Sequence, residues 1–157
     1  MVLAVTGHRK LPRNERLRSV VRHALERLGV ELVWSMLAIG ADQLVASTAR
    51  GQNIPIAAVL PFSDYETDFD RADKVRFTKL RASCREVVVL PHKNRSDSAY
   101  FEAGKAIVDK GDALLAIWDG SPSEGQGGTA DVVAYARQLS KPIWRIDPKA
   151  VVLEPNQ

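Results

Sequence analysis

The sequence predicts an α/β fold: a three-layer sandwich in which helices cover both faces of a mainly parallel, doubly wound sheet. Three observations predict it. Short continuous apolar runs rich in β-branched residues recur along the chain, as expected of strands buried on both faces. Amphipathic segments with apolar residues at helical spacing separate those runs, which is the pattern of right-handed crossovers between parallel strands. At 157 residues, 45% of them hydrophobic and 26% charged, the chain suits one domain over 1–157 whose core needs no disulfide or structural metal.

Taken in order, Val2 to Val5 is a β-branched run ended by "TGHRKLPR", and Leu17, Val20, Val21, Ala24, Leu25 and Leu28 then recur as one helix face that Gly29 stops. The run "VELVWSMLAIG" supplies a second strand, and Asp42 opens a helix carrying Leu44, Val45, Thr48 and Ala49. "IPIAAVLPF" is a third strand that Pro61 ends, because proline cannot donate to a ladder. The charged segment from Ser63 to Ser83 reads as one or two short surface helices. "EVVVL" is a fourth, buried strand, followed by a loop and a helix from about Ser98 to Lys110. "DALLAIW" is the fifth strand and "KPIWRI" the sixth, with Val132, Val133, Ala136 and Leu139 marking a helix face between them. The tail after Pro148 holds a short "VVL" without an assignment.

In Rossmann-like sheets of this kind ligands bind in the crevice beyond the carboxyl ends of the strands. The loops after Val5, Ile39, Leu60, Leu90 and Trp118 are therefore the expected site. After the first strand, Thr6 and Gly7 let backbone approach a ligand, and His8 and Arg9 either meet an anion or are simply solvated. After the second, Gly40 and Asp42 stand at a helix start, where Asp42 either caps the helix or meets a ribose or a neighbouring basic residue. After the fifth, Asp119 and Gly120 lead into Gly127, Gly128 and Thr129 at a helix N-terminus, where outward N–H groups and the helix dipole suit a phosphate. Thr129 is placed to cap that helix, and Asp119 to pair with Arg9, accept a ligand hydroxyl or begin a turn with Gly120. Tyr100 either overhangs the crevice and stacks on a base or packs in the core.

The exclusions are plain. His8, His23 and His92 are scattered, and Cys84 is the only cysteine, so no metal site, disulfide or cofactor is expected. Cys84 reads as a small, partly buried residue. A net charge of +3 suits an anionic small molecule and falls short of a dedicated nucleic-acid binder. No apolar run approaches a membrane span, and the basic residues follow the first apolar run where a leader would have them precede it, so the cytoplasm is the expected compartment.

The segments "VTGHR", "GADQLVASTA", "DALLAIWDG" and "GQGGTADVVAYA" together resemble the SLOG superfamily of Rossmann-like nucleotide-binding proteins, over nearly the whole chain. That group includes the LOG phosphoribohydrolases and the DNA-processing protein DprA. In the LOG-like hydrolases a glycine-threonine pair precedes a catalytic glutamate by three residues; here Gly128 and Thr129 match the pair, but Val132 occupies the glutamate position. The resemblance thus implies a phosphate cradle without the residue that cleaves an N-glycosidic bond.

Two functions follow as expectations. The first is a sensor or binding module for a nucleotide or nucleotide-derived phosphorylated ligand. The alternative is hydrolysis of nucleoside 5'-monophosphates, with Asp131, Asp119 or Glu102 as the catalytic carboxylate. Single-strand DNA binding as in DprA needs a basic groove with aromatic platforms; with three Trp, three Tyr and four Phe, several of them in strands, nucleic acid is the less favoured partner. Relatives of this kind commonly dimerise, and a homodimer is expected, with Trp34 or Trp144 either in the core or facing a partner.

Overall fold

The computed structural model describes residues 1–123 and 125–157. In chain order the elements are β1 (Val2–Gly7), α1 (Glu15–Arg27), β2 (Leu32–Ser35), α2 (Ala41–Gly51), β3 (Ile56–Leu60), a 3-10 turn (Tyr65–Asp68), α3 (Arg71–Ala82), β4 (Glu86–Val89), α4 (Asp97–Lys110), β5 (Ala113–Ile117), α5 (Thr129–Gln138), β6 (Ile143–Ile146) and β7 (Leu153–Pro155). The strands form one sheet in the order β4-β3-β2-β1-β5-β6-β7. All pairings are parallel except that of β6 with β7.

The apolar runs are strands because both of their faces are covered. In β1, Leu3 and Val5 face the core beneath α1, α2 and α3, whereas Ala4 faces the core beneath α4 and α5. In β5, Leu115 and Ile117 face the first core and Leu114 and Ala116 the second. A period of two with apolar residues on both faces reads as a continuous run in sequence.

Four details depart from the sequence expectation. The second strand ends at Ser35, and residues 36–40 are a loop; its polar anchors are described below. The fourth strand is the sheet edge, so Glu86 and Val89 are exposed instead of buried. Leu139 is also exposed, because α5 ends at Gln138 before its apolar face comes round again. The tail becomes β7, an antiparallel edge strand, with Val151 buried just before it. Trp34 lies in the core beneath α4 and α5, and Trp144 is partly buried against the core on the opposite face.

Lys141 closes the end of α4. Its ammonium donates to the carbonyls of Val108 at 2.9 Å, Asp109 at 3.3 Å and Gly111 at 2.5 Å, satisfying acceptors that a helix C-terminus otherwise leaves open. Lys141→Met keeps the stem and removes the donors, so urea unfolding is expected to show a loss of about 2 kcal/mol. A loss below about 0.5 kcal/mol would mean that water satisfies those carbonyls equally well.

Candidate functional site

The winding of the sheet reverses between β1 and β5: elements after β1 build outward to β4, and α4 carries the chain back to β5 on the other side of β1. At such a switch point the two flanking loops diverge and leave a crevice. Here it is a cavity of about 720 Å³ lined by Thr6, Gly7, His8, Arg9 and Lys10, by Asp42, by Asp97 and Tyr100, and by Trp118 to Asp119 and Gly127 to Ala130. Of the predicted ligand residues, Gly40 and Gly120 do not line it.

Gly40 instead shapes the wall. Its φ of +82° lies in the left-handed region, and a Cβ there would stand 2.4 Å from the carbonyl oxygens of both His8 and Arg9. The Ala41 N–H donates to His8 O at 3.0 Å, so the β1 loop is seated directly on the start of α2. Gly7 is equally close-packed, with a Cβ position 2.4 Å from Ala41 Cβ. Gly120 belongs to a turn beside the Arg145 guanidinium.

The loop between β2 and α2 is held by buried polar groups. Ser35 Oγ accepts from Leu37 N–H at 3.0 Å, Gln43 Nε2 donates to Leu37 O at 3.2 Å, and Asp42 Oδ2 accepts from Ala38 N–H at 3.3 Å. Leu37 sits at φ +60°, a conformation that a leucine keeps only when its surroundings over-determine it. Asp42 is therefore not the cap: Gly40 holds the cap position, without a side-chain bond. Burial pushes the Asp42 carboxyl up to about 7, against the opposing pull of the Ala38 N–H, Ser35, Met36 N–H and Arg9.

On the facing side, Asp119 pairs with His8 rather than with Arg9: Asp119 Oδ1 lies 3.0 Å from His8 Nε2. Asp119 also begins the expected turn, accepting from Ser121 N–H at 2.9 Å. The Ser121 hydroxyl and N–H, and then His8, hold its carboxyl well below the ordinary carboxylate range. Arg9 is exposed and makes no ion pair among the described residues. Its guanidinium lies 5.5 Å from the centre of the Tyr100 ring, and the Tyr100 hydroxyl donates to Asp68. Tyr100 thus stands at the crevice, locked by a bond that sequence spacing did not reveal.

The glycine-rich loop is more occupied than an open cradle. Asp131 Oδ2 accepts from Gly127 N–H at 2.9 Å, and Asp131 N–H lies 3.2 Å from Ser123 Oγ. Gly128, not Thr129, is the N-cap residue of α5, again without a side-chain bond; Thr129 is the first helical residue. The N–H groups of Gly128, Thr129 and Ala130 have no acceptor among the described residues. Glu124 lies outside the described residues.

Val132, at the position of the LOG glutamate, is 4% exposed. One of its methyls lies 2.8 Å from where a Cβ of Gly104 would stand, so the pair sets the close approach of α4 and α5. Glu102 lies outside the crevice in an ion pair with Lys105 at 2.6 Å. Sequence reasoning missed Lys10, Asp97 and Ser123; for Asp97 the signal was the Ser96 cap, whose Oγ accepts from Ala99 N–H at 3.2 Å and starts α4 one residue earlier than expected. Elsewhere, Cys84 is partly buried and burial pushes its thiol up to about 11, away from the thiolate form on which thiol reactivity depends. Among the described residues no three or more His, Cys, Asp or Glu side chains gather into a metal-binding group, and no helix is long and apolar enough to cross a membrane.

Comparison with solved structures places this architecture. The X-ray structure of DNA processing protein A (DprA) from Streptococcus pneumoniae is similar with a TM-score of 0.65 at 16% identity, over 93% of this chain and 50% of that one. A structure of DprA from Helicobacter pylori, determined for its single-stranded DNA binding mode, is similar with a TM-score of 0.67 at 14% identity, over 94% of this chain and 65% of that one. The chain thus spans between half and two thirds of these proteins, and the likeness shows that it has their Rossmann-like fold. No protein-family model and no curated protein matches the sequence.

Proposed function

We propose that the crevice between β1 and β5 binds the sugar-phosphate unit of a single-stranded nucleic acid. The observation that carries this reading is Arg9. It is an exposed guanidinium, without an ion pair among the described residues and set 5.5 Å from the centre of the Tyr100 ring, beside Lys10 in a crevice that Gly128, Thr129 and Ala130 also line. Such a guanidinium, held beside an aromatic ring, keeps its planar fork for phosphate. DprA of Helicobacter pylori, which shares the fold, binds single-stranded DNA. Those two considerations reverse the ranking of partners drawn from charge and aromatic count, because both totals average over the chain while recognition depends on where the groups stand.

The test is fluorescence anisotropy with a labelled oligothymidine. Arg9→Ala is expected to weaken binding by about tenfold to a hundredfold, the range for a charge-assisted hydrogen bond, while the melting temperature stays unchanged. Equal affinity of wild type and variant would remove Arg9 from the site and the reading with it.

A second reading, a free nucleotide, is favoured by Asp42 and Asp119, two carboxyl groups of the crevice suited to ribose hydroxyls. Displacement of the oligonucleotide by AMP at comparable concentration would select it. For hydrolysis, Asp131 is engaged with Gly127, Asp119 with His8 and Ser121, and Glu102 with Lys105. Release of ribose 5-phosphate from AMP would establish the reaction despite those engagements and overturn a pure binding role.

A further inference from the structure

We propose that a second cavity, the groove between the start of α1, α2 and α3, carries the continuation of the same strand past the crevice. This inference rests on the nucleic-acid reading above and extends it to a site of its own. The groove has a volume of about 530 Å³ and is lined by the cations Arg13, Arg18, Arg50, Arg76 and Lys79 against the carboxylates Glu15 and Asp73.

Charge placement is the first argument. The whole chain carries a net charge of +3, and the groove alone holds five cations against two carboxylates. The crevice, by contrast, sets the carboxyl groups of Asp42, Asp97 and Asp119 against only two permanent cations, Arg9 and Lys10, which suffices for one phosphate and not for several. A strand that enters the crevice must neutralise its following phosphates elsewhere. The excess positive charge of the molecule stands in the groove.

Availability and continuity are the second and third. Arg13, Arg18, Arg50 and Lys79 are exposed and make no ion pair among the described residues, and only Arg76 is engaged, with Asp73 at 2.6 Å. The two cavities adjoin through the chain itself: Lys10 lines the crevice and the next residue, Leu11, lines the groove. The β1 loop, seated on Gly40 as described, is thus the saddle over which a strand passes. Leu11, Leu44 and Leu80 add apolar lining against which sugars and bases can rest.

The experiment compares two lengths of oligothymidine on the intact chain. A trinucleotide fills the crevice, and a strand of about twenty nucleotides also reaches the groove. Arg13→Glu, Arg50→Glu and Lys79→Glu, singly and together, are measured against Arg137→Glu, an exposed charge at the far end of α5. The triple variant is expected to lose at least about tenfold in affinity for the long strand and to flatten the slope of log affinity against log salt by about two, while trinucleotide binding stays within about twofold. Arg137→Glu is expected to change neither.

Long-strand affinity and salt slope unchanged in the triple variant, with wild type binding both lengths, would overturn the groove and leave the crevice standing. Wild type that binds neither length would overturn the crevice reading itself. Equal displacement of the long strand by a polyglutamate peptide of the same charge would show a site for acidic polypeptide and overturn the nucleic-acid assignment.

Discussion

Replacement of Asp42 by Asn is expected to abolish a decline in stability that the wild-type protein shows as pH rises from about 4 to about 7. Burial moves the Asp42 carboxyl from the ordinary 3.8 up to about 7. Below pH 3.8 the group is protonated in both folded and unfolded chains, and no penalty exists. Between the two values the folded chain holds a proton that the unfolded chain has released, so each rise in pH favours unfolding. Above about 7 both are ionised and the full penalty stands. That interval corresponds to roughly 4 kcal/mol, an order-of-magnitude figure for a fully desolvated carboxyl. Asn has no proton to lose and keeps an oxygen for the Ala38 N–H. Urea unfolding of wild type and Asp42→Asn at about pH 5 and about pH 8 measures the difference; a gap between the two proteins that does not move with pH would sink the assignment. The same carboxyl bears on binding. While protonated, Asp42 adds no negative charge to a crevice that receives a phosphate, so affinity for an oligonucleotide is expected to fall as pH passes 7 and to fall less in Asp42→Asn.

Gly40→Ala is expected to be the most damaging of the small substitutions. The backbone there, at φ +82° and ψ −122°, is one that an L side chain rarely adopts. The added methyl would also meet two backbone carbonyls, His8 O and Arg9 O, at 2.4 Å. Neither can swing aside as a side-chain tip would. Strain and displacement together are expected to cost about 3 kcal/mol or more, read as a drop in the thermal midpoint by circular dichroism. Because the displaced segment carries Arg9, oligonucleotide binding should fall further than the loss of folded protein explains. Gly51→Ala is the control: a Cβ there has nothing within 4 Å, and at the end of α2 the change should be neutral or slightly stabilising. A Gly40→Ala protein as stable as wild type would show that the clash at the β1 loop is relieved without consequence.

How much of the site was legible depended on how local its cause was. Thr6, Gly7, His8 and Arg9 were readable because a strand followed by glycine and basic residues announces itself within five positions. The glycine-rich start of α5 was readable for the same reason, but the bonds within it were not. That Asp131 turns back to occupy the Gly127 N–H at 2.9 Å follows from the path of the loop, and nothing in the order of residues encodes that path. Lys10 and Ser123 look like ordinary loop residues until the crevice closes around them.

What the sequence by itself determined is the alternation of strands and helices, since hydrophobic periods of two and 3.6 are local signals of burial. Tertiary structure decided the rest. It put Asp119 against His8, left Arg9 on Tyr100, drove Asp42 out of water and gathered five scattered cations into one groove. Those outcomes depend on the order in which strands lie in the sheet and on which loops meet where its winding reverses. Electrostatics and desolvation act on distances in space, and residues far apart in the chain acquire those distances only when the sheet is assembled.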